Sequence, residues 1–277
     1  MELKSWQEDG IAYCQGMTEV LIDQRNHKID GNVYKAIQCD MAYNSNKIEG
    51  SMLSHEQTVL IYDKGIIDGY ALLDDALEVA NHFSLFDQML DDVGKPLDVE
   101  TICRYQAMLL NGTKKFHDPR YSVGSLKSFD NYIGMLEIET TPASEVEDVL
   151  NKLLADYNST NTHSFDDLLD FHVRFEEIHP LSDGNGRVGR ILLLKGCLES
   201  NIMPFIITDQ LRTYYIRGLS NWHEEKGWLR DTVLTAQDTF VSKCYPLAES
   251  YAQALEDDIE FSSLNSKESF KDKMARA

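Results

Sequence analysis

Apolar residues recur at steps of three and four along most of the chain, which is the spacing of one face of an α-helix. Residues 33–50 contain one such face, made by Tyr34, Ile37, Met41, Ser45 and Ile48, and Gly50 then offers a helix stop. Similar spacing predicts helices over residues 74–90, over residues 98–112 and from residue 144 onwards. Six prolines and few turn signals in 277 residues indicate a mainly helical protein.

A short alternating stretch interrupts the helical pattern. Tyr132, Ile133, Met135, Leu136 and Ile138 surround Gly134, which predicts a β-hairpin. No other stretch gives a strand signal of this strength. The polar residues from Tyr251 onwards predict a frayed end or a peripheral helix.

Two further helices flank the sequence HPLSDGNGRVGR, residues 179–190. Ser164 and Asp167 have capping-box spacing, and the helix that they begin should end before Pro180, because proline disfavours helical geometry at the preceding residue. The second helix should begin near Arg187 and run through ILLLKGCLES. The intervening residues are therefore predicted to connect two helices.

Composition narrows the class of protein. The net charge of −20, with few clustered Lys or Arg residues, argues against nucleic acid as a partner. Neither a membrane-spanning run nor a secretion signal is visible, so we expect a cytoplasmic protein that does not associate with membranes. The five cysteines are scattered and lack Cys-x-x-Cys pairs, which favours reduced, mostly buried thiols over disulfides or a zinc site.

The residues of 179–190 point to an anion. Glycines followed by a helix start offer free backbone N–H groups to phosphate, and Arg187 with Arg190 would bind phosphate oxygens in pairs. Asp183 could hold the Mg²⁺ of a nucleotide, and His179 could accept a proton at neutral pH. Residues 184–189 also match Gly-x-Gly-x-x-Gly with Asp209 twenty residues beyond, but the helical spacing before them argues against a dinucleotide fold.

These residues resemble the signature of Fic domains, His-x-Phe-x-Asp/Glu-Gly-Asn-Gly-Arg-x-x-Arg, with Leu181 in place of the phenylalanine. That position normally packs into the core, so leucine should be tolerated. The resemblance extends from about Tyr34 to Pro246 and implies an all-α, Fic-type helical bundle with one short β-hairpin flap. It also implies an N-terminal helical region (1–95), a Fic core (96–246) and an acidic C-terminal tail (247–277), together one compact unit.

The resemblance further implies transfer of AMP from ATP to a Tyr, Thr or Ser hydroxyl of a target protein, which could be the protein itself. His179 would be the general base and Asp183 the Mg²⁺ ligand. Gly184, Asn185 and Gly186 would cradle the α-phosphate, and Arg187 and Arg190 would meet the β- and γ-phosphates. The remaining implied nucleotide contacts are Ile133, Gly134, Met135 and Leu136 of the flap, with Tyr214, Tyr215 and Asn221 near the nucleoside. Ordinary packing is the alternative for either group.

Residues 45–50, SNKIEG, place Glu49 at the end of a helix, where a carboxylate meets the negative end of the dipole. They resemble the inhibitory motif of the same family, Ser/Thr-x-x-x-Glu-Gly/Asn, whose glutamate pairs with the second arginine of the signature. The resemblance implies that Glu49 takes the place of the γ-phosphate beside Arg190, with Ser45 holding the carboxylate.

Three hypotheses remain open at this point. The first is an autoinhibited, Mg²⁺-dependent protein adenylyltransferase. The second is an enzyme that removes AMP from a modified target by using Glu49 to orient water. The third is a regulator that senses ATP without turnover. The sequence leaves the target protein and the oligomeric state undetermined.

Overall fold

The computed structural model describes residues 2–28, 32–133 and 138–257, and ten α-helices make up most of this part of the chain. They are α1 (Met17–His27), α2 (Val33–Ile48), α3 (His55–Lys64), α4 (Leu73–Asp91), α5 (Val99–Leu110), α6 (Val146–Tyr157), α7 (Phe165–Ile178), α8 (Asn185–Glu199), α9 (Arg212–Ser220) and α10 (Gly227–Lys243). A further helical stretch covers 245–257. The prediction of a mainly helical protein is therefore confirmed.

Two antiparallel hairpins accompany the helices in the described ranges. The predicted one consists of β3 (Tyr132–Ile133) and β4 (Ile138–Glu139), with Ile133 paired to Ile138. Three of its predicted flap residues, Gly134, Met135 and Leu136, lie outside the described residues, as does the side chain of Ile133.

The structure adds a hairpin that the sequence did not predict, formed by β1 (Lys4–Glu8) and β2 (Ile11–Gln15). All of β1 is exposed, whereas β2 is mostly buried, so neither strand shows the alternation that marks a half-buried strand. The available signal was Asp9-Gly10, whose φ angles of 48° and 78° suit the tight turns that join two strands.

Helix α8 lies at the centre of the core, and its side chains are buried almost without interruption from Arg187 to Leu198. It packs against α2, α4, α5 and α7. Gly196 allows the close approach of α7, since a Cβ atom there would lie 2.6 Å from Leu168 Cδ2. The two helices therefore hold the residues between them in a fixed frame.

The ends of α2 and α7 are set by local chemistry. Gly50, with φ of 100°, follows α2 and ends it at the predicted position. Ser164 and Asp167 form the predicted capping box of α7. Each of the five cysteines is buried and free. Among the described helices, none combines the length and the apolarity needed to cross a bilayer.

Candidate active site

The candidate site is built on the loop between α7 and α8. His179 follows α7 with a left-handed φ of 49°, and Gly184 precedes α8 with φ of 84°. Asn185 fixes the loop between them: its Oδ1 accepts from Leu181 N, and its Nδ2 donates to Leu181 O, each at 2.8 Å. Leu181 is fully buried, as the Fic signature implies for that position.

The geometry of Asn185 changes what it can offer a ligand. Because its amide is used by Leu181, a phosphate would meet its backbone N–H instead. Helix α8 starts with Asn185, two residues before the predicted start, and the structure gives it no acidic side chain in the first turn and no side-chain cap. Its first backbone N–H groups are therefore available to an anion.

His179 is positioned as a base. Its Nδ1 lies 3.3 Å from the carbonyl oxygen of Glu176, which favours a proton on Nδ1 and leaves Nε2 as the acceptor. Burial lowers the pKa of His179 to about 4, against the opposing effect of this hydrogen bond. The imidazole is therefore neutral, and able to accept a proton, at neutral pH.

Asp183 already has cationic neighbours. Its Oδ2 lies 2.5 Å from Lys115 Nζ, and its Oδ1 lies 3.5 Å from Arg187 Nη2. Burial raises the pKa of Asp183, but Arg187 and Lys115 outweigh it and hold the pKa below its ordinary value. An ionised, one-quarter exposed carboxylate fits Mg²⁺ that arrives with a nucleotide, because such an ion needs only one or two protein carboxylates. Within the described residues, no group of three or more candidate metal ligands forms a separate site.

Arg187 is paired with Glu78 of α4. The guanidinium is almost fully buried, and its Nη1 donates to Glu78 Oε2 and, at 3.4 Å, to Asn46 Oδ1. Nothing in the spacing of the sequence indicated Glu78 as a partner, because the two residues are 109 positions apart. The predicted phosphate ligand is thus neutralised by an acid of the N-terminal region.

Arg190 is paired with Glu49, the C-cap residue of α2. Its Nη2 donates to Glu49 Oε1 at 2.7 Å and to Ser45 O at 2.9 Å, and its Nε donates to Ser45 Oγ at 3.0 Å. Ser45 therefore holds the guanidinium, and not the carboxylate as the resemblance implied. Burial opposes ionisation of Glu49, yet the charges of Arg190 and Arg187 hold its pKa below the ordinary value.

The absence of a side chain at Gly186 leaves room for the Glu49 carboxylate. A Cβ atom at Gly186 would lie 2.2 Å from Glu49 Oε1 and 2.9 Å from Arg190 Nη1. The glycine that was predicted to cradle the α-phosphate thus faces the Glu49 carboxylate in this structure. Any side chain at this position would displace that carboxylate.

The three residues predicted near the nucleoside lie in different surroundings. Tyr215 is buried, its hydroxyl lies 2.7 Å from His172 Nε2, and its ring centroid is 5.9 Å from the Arg190 guanidinium. Tyr214 is half exposed and packs on Arg217. Asn221 donates to Arg217 O at the end of α9. Of these three residues, Tyr215 is therefore the one that lies beside a residue of the signature, Arg190.

Lys127 is a buried cation that sequence reasoning missed. Its Nζ donates to Asn131 Oδ1 at 2.7 Å, to Thr140 Oγ1 at 2.8 Å and to the carbonyl of Ile178 at 3.2 Å. Burial lowers the pKa of Lys127 to about 8. The acceptors stand just before β3, just after β4 and just before His179, so Lys127 connects the base of the hairpin to the loop between α7 and α8.

Comparison with known proteins identifies the segment that carries most of this site. Residues 96–195 match the model of the Fic/DOC family. The protein contains a Fic/DOC domain. The domain includes α5, the β3–β4 hairpin, α6, α7 and the part of α8 that carries both arginines. The resemblance seen in the signature is thereby confirmed, whereas Glu49 and Glu78 come from before the matched segment.

Two relatives carry the name protein adenylyltransferase. Protein adenylyltransferase fic-1 of Caenorhabditis elegans is 27% identical over 191 residues, which cover 64% of this chain and 35% of the relative. Probable protein adenylyltransferase aq_aa38 of Aquifex aeolicus is 44% identical over 54 residues, or 20% of this chain and 16% of the relative. The chain thus spans about a third or less of the length of these relatives.

Solved structures share the fold. A Fic domain containing signaling protein from Bacteroides thetaiotaomicron aligns with a TM-score of 0.70 at 18% identity, covering 84% of this chain and 97% of that one. Fic-1 from C. elegans aligns with a TM-score of 0.63 at 19% identity, covering 83% and 69%. Both alignments extend well beyond the Fic/DOC domain, so the helical fold is common to most of the chain.

Proposed function

We propose that this protein transfers AMP from ATP to a hydroxyl side chain of a target protein, and that Glu49 restrains the reaction. The proposal depends on three features that lie close together. They are a neutral His179, the uncapped N-terminus of α8, and Arg190, which is already paired with the Glu49 carboxylate. The names of the two relatives support the same chemistry.

In the proposed reaction, His179 Nε2 accepts the proton of the acceptor hydroxyl as its oxygen attacks the α-phosphorus. An oxygen–phosphorus bond forms there, the bond to the β-phosphate breaks, and pyrophosphate leaves. The backbone N–H groups at the start of α8 point at the phosphate and favour its negative charge. Asp183 would hold Mg²⁺, which supplies positive charge to the phosphates when bound.

Restraint by Glu49 follows from competition for Arg190. A γ-phosphate and the Glu49 carboxylate both require Nη2, and the buried guanidinium has few other directions to turn. Glu49 is better placed to leave, because 38% of its side chain is exposed and it stands at the end of a helix. We expect removal of Glu49 to tighten ATP binding by roughly 5- to 150-fold, the usual range for coupled sites.

Labelled ATP tests the proposal. The chain is incubated with ATP labelled at the α-phosphate, or at the γ-phosphate, and with candidate targets and alone. We expect Glu49→Gly to incorporate the α label strongly, wild type weakly, and neither protein to incorporate the γ label. The double variant Glu49→Gly/His179→Ala should bind ATP as Glu49→Gly does and transfer no label.

Three results would contradict the proposal. Incorporation of the γ label would indicate a kinase. ATP binding without turnover in Glu49→Gly would favour the regulator hypothesis. Equal labelling by wild type and Glu49→Gly would remove Glu49 from its proposed role while leaving AMP transfer in place.

Removal of AMP is a second candidate, favoured by one observation. Glu49 is ionised and partly exposed beside Gly186, and it is near enough to His179 for its charge to act on the imidazole, so its carboxylate could orient a water molecule there. Incubation of a pre-modified target with wild type and with Glu49→Gly tests it. Loss of AMP with wild type alone would support this second role.

A further inference from the structure

Lys115 lies where a cation would contact Asp183. Its Nζ is 2.5 Å from Asp183 Oδ2 and 3.5 Å from Glu78 Oε1, so one ammonium bridges two carboxylates from different parts of the fold. Lys115 opens a short 3-10 helix that ends at His117, in the connection that leads from α5 to the hairpin. The spacing of the sequence gave no sign of this contact.

The ammonium and a metal ion bound to Asp183 would repel each other. Magnesium binds carboxylate oxygen at about 2.1 Å, so an ion on Asp183 Oδ2 would share that oxygen with an ammonium that is already 2.5 Å from it, and two positive charges so close together repel strongly. The other oxygen, Oδ1, faces Arg187 at 3.5 Å. A divalent ion on either oxygen therefore competes with a cation that belongs to the chain.

Lys115 is the cation that can leave. Its side chain is 32% exposed and flexible, whereas the side chain of Arg187 is 3% exposed and remains paired with Glu78. Withdrawal of Lys115 also leaves Glu78 with its partner Arg187, so no carboxylate is stranded without a charge partner. When the ammonium departs, the surroundings of Asp183 lose one positive charge. The more negative site then favours binding of a dication.

On the basis of the proposed function, we propose that the Lys115 ammonium neutralises Asp183 until Mg²⁺ displaces it. Lys115 would then determine the Mg²⁺ concentration at which ATP binds. The chain thus neutralises its own metal ligand in the absence of nucleotide. A competing role is direct contact between Lys115 and the phosphates, and this role predicts the opposite change in affinity.

The experiment measures ATP affinity by calorimetry across a Mg²⁺ titration. The host is Glu49→Gly/His179→Ala, which should leave Arg190 free and not consume ATP. Adding Lys115→Met, and separately Lys115→Gln, should lower the Mg²⁺ concentration for half-maximal ATP affinity by roughly tenfold, as expected for loss of one nearby opposing charge. ATP should then bind more tightly at limiting Mg²⁺. Adding Asp183→Asn should abolish this gain.

Lys114→Met provides the matched control, because Lys114 is the adjacent lysine and is exposed. It should leave the Mg²⁺ requirement unchanged. Weaker ATP binding in both Lys115 variants, or an unchanged Mg²⁺ requirement, would overturn the inference while leaving AMP transfer intact. A host protein that fails to bind ATP at any Mg²⁺ concentration would overturn the proposed function together with the inference.

Discussion

Two arginines one turn apart on α8 are neutralised in different ways, and the difference separates a structural ion pair from a replaceable one. Arg187 meets Glu78 in the first half of α4, and the two side chains are 3% and 12% exposed. Arg190 meets Glu49 at the end of α2, where the carboxylate side chain is 38% exposed. Burial therefore holds Glu78 against Arg187, whereas the exposed side of Glu49 allows its side chain to rotate into solvent.

The difference in burial suggests why Glu49 would restrain the reaction through Arg190 and not through Arg187. A buried pair left without one partner is costly, because an uncompensated charge then remains in the core. A partly exposed pair is weak and can exchange its carboxylate for another anion. Substitutions at the two pairs should therefore change the free energy of unfolding by different amounts.

Glu78→Gln should produce the largest loss, about 3 kcal/mol in the free energy of unfolding, because it leaves the buried Arg187 with only the longer contact to Asp183, at 3.5 Å, as a counter-charge. Denaturant unfolding of the full chain measures the change. Glu100→Gln, at an exposed position in the first turn of α5, is the matched control and should change stability little. A loss for Glu78→Gln as small as that of the control would show that this pair is not structural.

Gly186→Ala should cost about 1 kcal/mol, because the new methyl group would clash with the Glu49 carboxylate and the Arg190 guanidinium, in addition to breaking their weaker ion pair. Neither charged residue is altered by this substitution. In a Glu49→Gly background the main clash is absent, so most of the cost should disappear in a double-mutant cycle. If the losses from Gly186→Ala and Glu49→Gly are additive, the clash does not involve Glu49. The Arg190 guanidinium is then the neighbour that the methyl group meets.

Glu49→Gln should cost less than about 1 kcal/mol, since solvent screens a pair whose carboxylate is more than one-third exposed. The same unfolding experiment measures it beside Glu78→Gln. The proposed difference between the two pairs is supported if Glu49→Gln lowers the free energy of unfolding clearly less than Glu78→Gln does. Equal losses would remove the distinction between them.

Acid should abolish what the Glu49–Arg190 pair contributes, an effect of a few tenths of a kcal/mol at most. The folded-state pKa of Glu49 lies below its ordinary value of 4.5, chiefly because Arg190 overcomes the cost of burial. The contribution is thus complete above pH 4.5 and lost as the pH falls through the lower folded-state value. The stability difference between wild type and Glu49→Gln should be constant from pH 7 to pH 5 and shrink at lower pH.

Much of the local structure could be predicted from the sequence. The positions of α2, α4, α5 and α7, the hairpin strands and the connection between α7 and α8 follow from apolar periodicity, capping residues and Pro180, all of which act between near neighbours. The signature also pointed to His179, Asp183, Arg187 and Arg190 as one group, because all four lie within a stretch of twelve consecutive positions.

The pairing of those charges was decided by the tertiary structure. Glu78, Lys115 and Lys127 carry no local pattern, since each acquires its role only when distant segments pack around the start of α8. Ser45 was placed correctly on α2, but its hydroxyl meets Arg190 and not Glu49. Periodicity fixes which face of a helix is buried, whereas charge partners depend on where helices meet, and that information is spread over the whole chain.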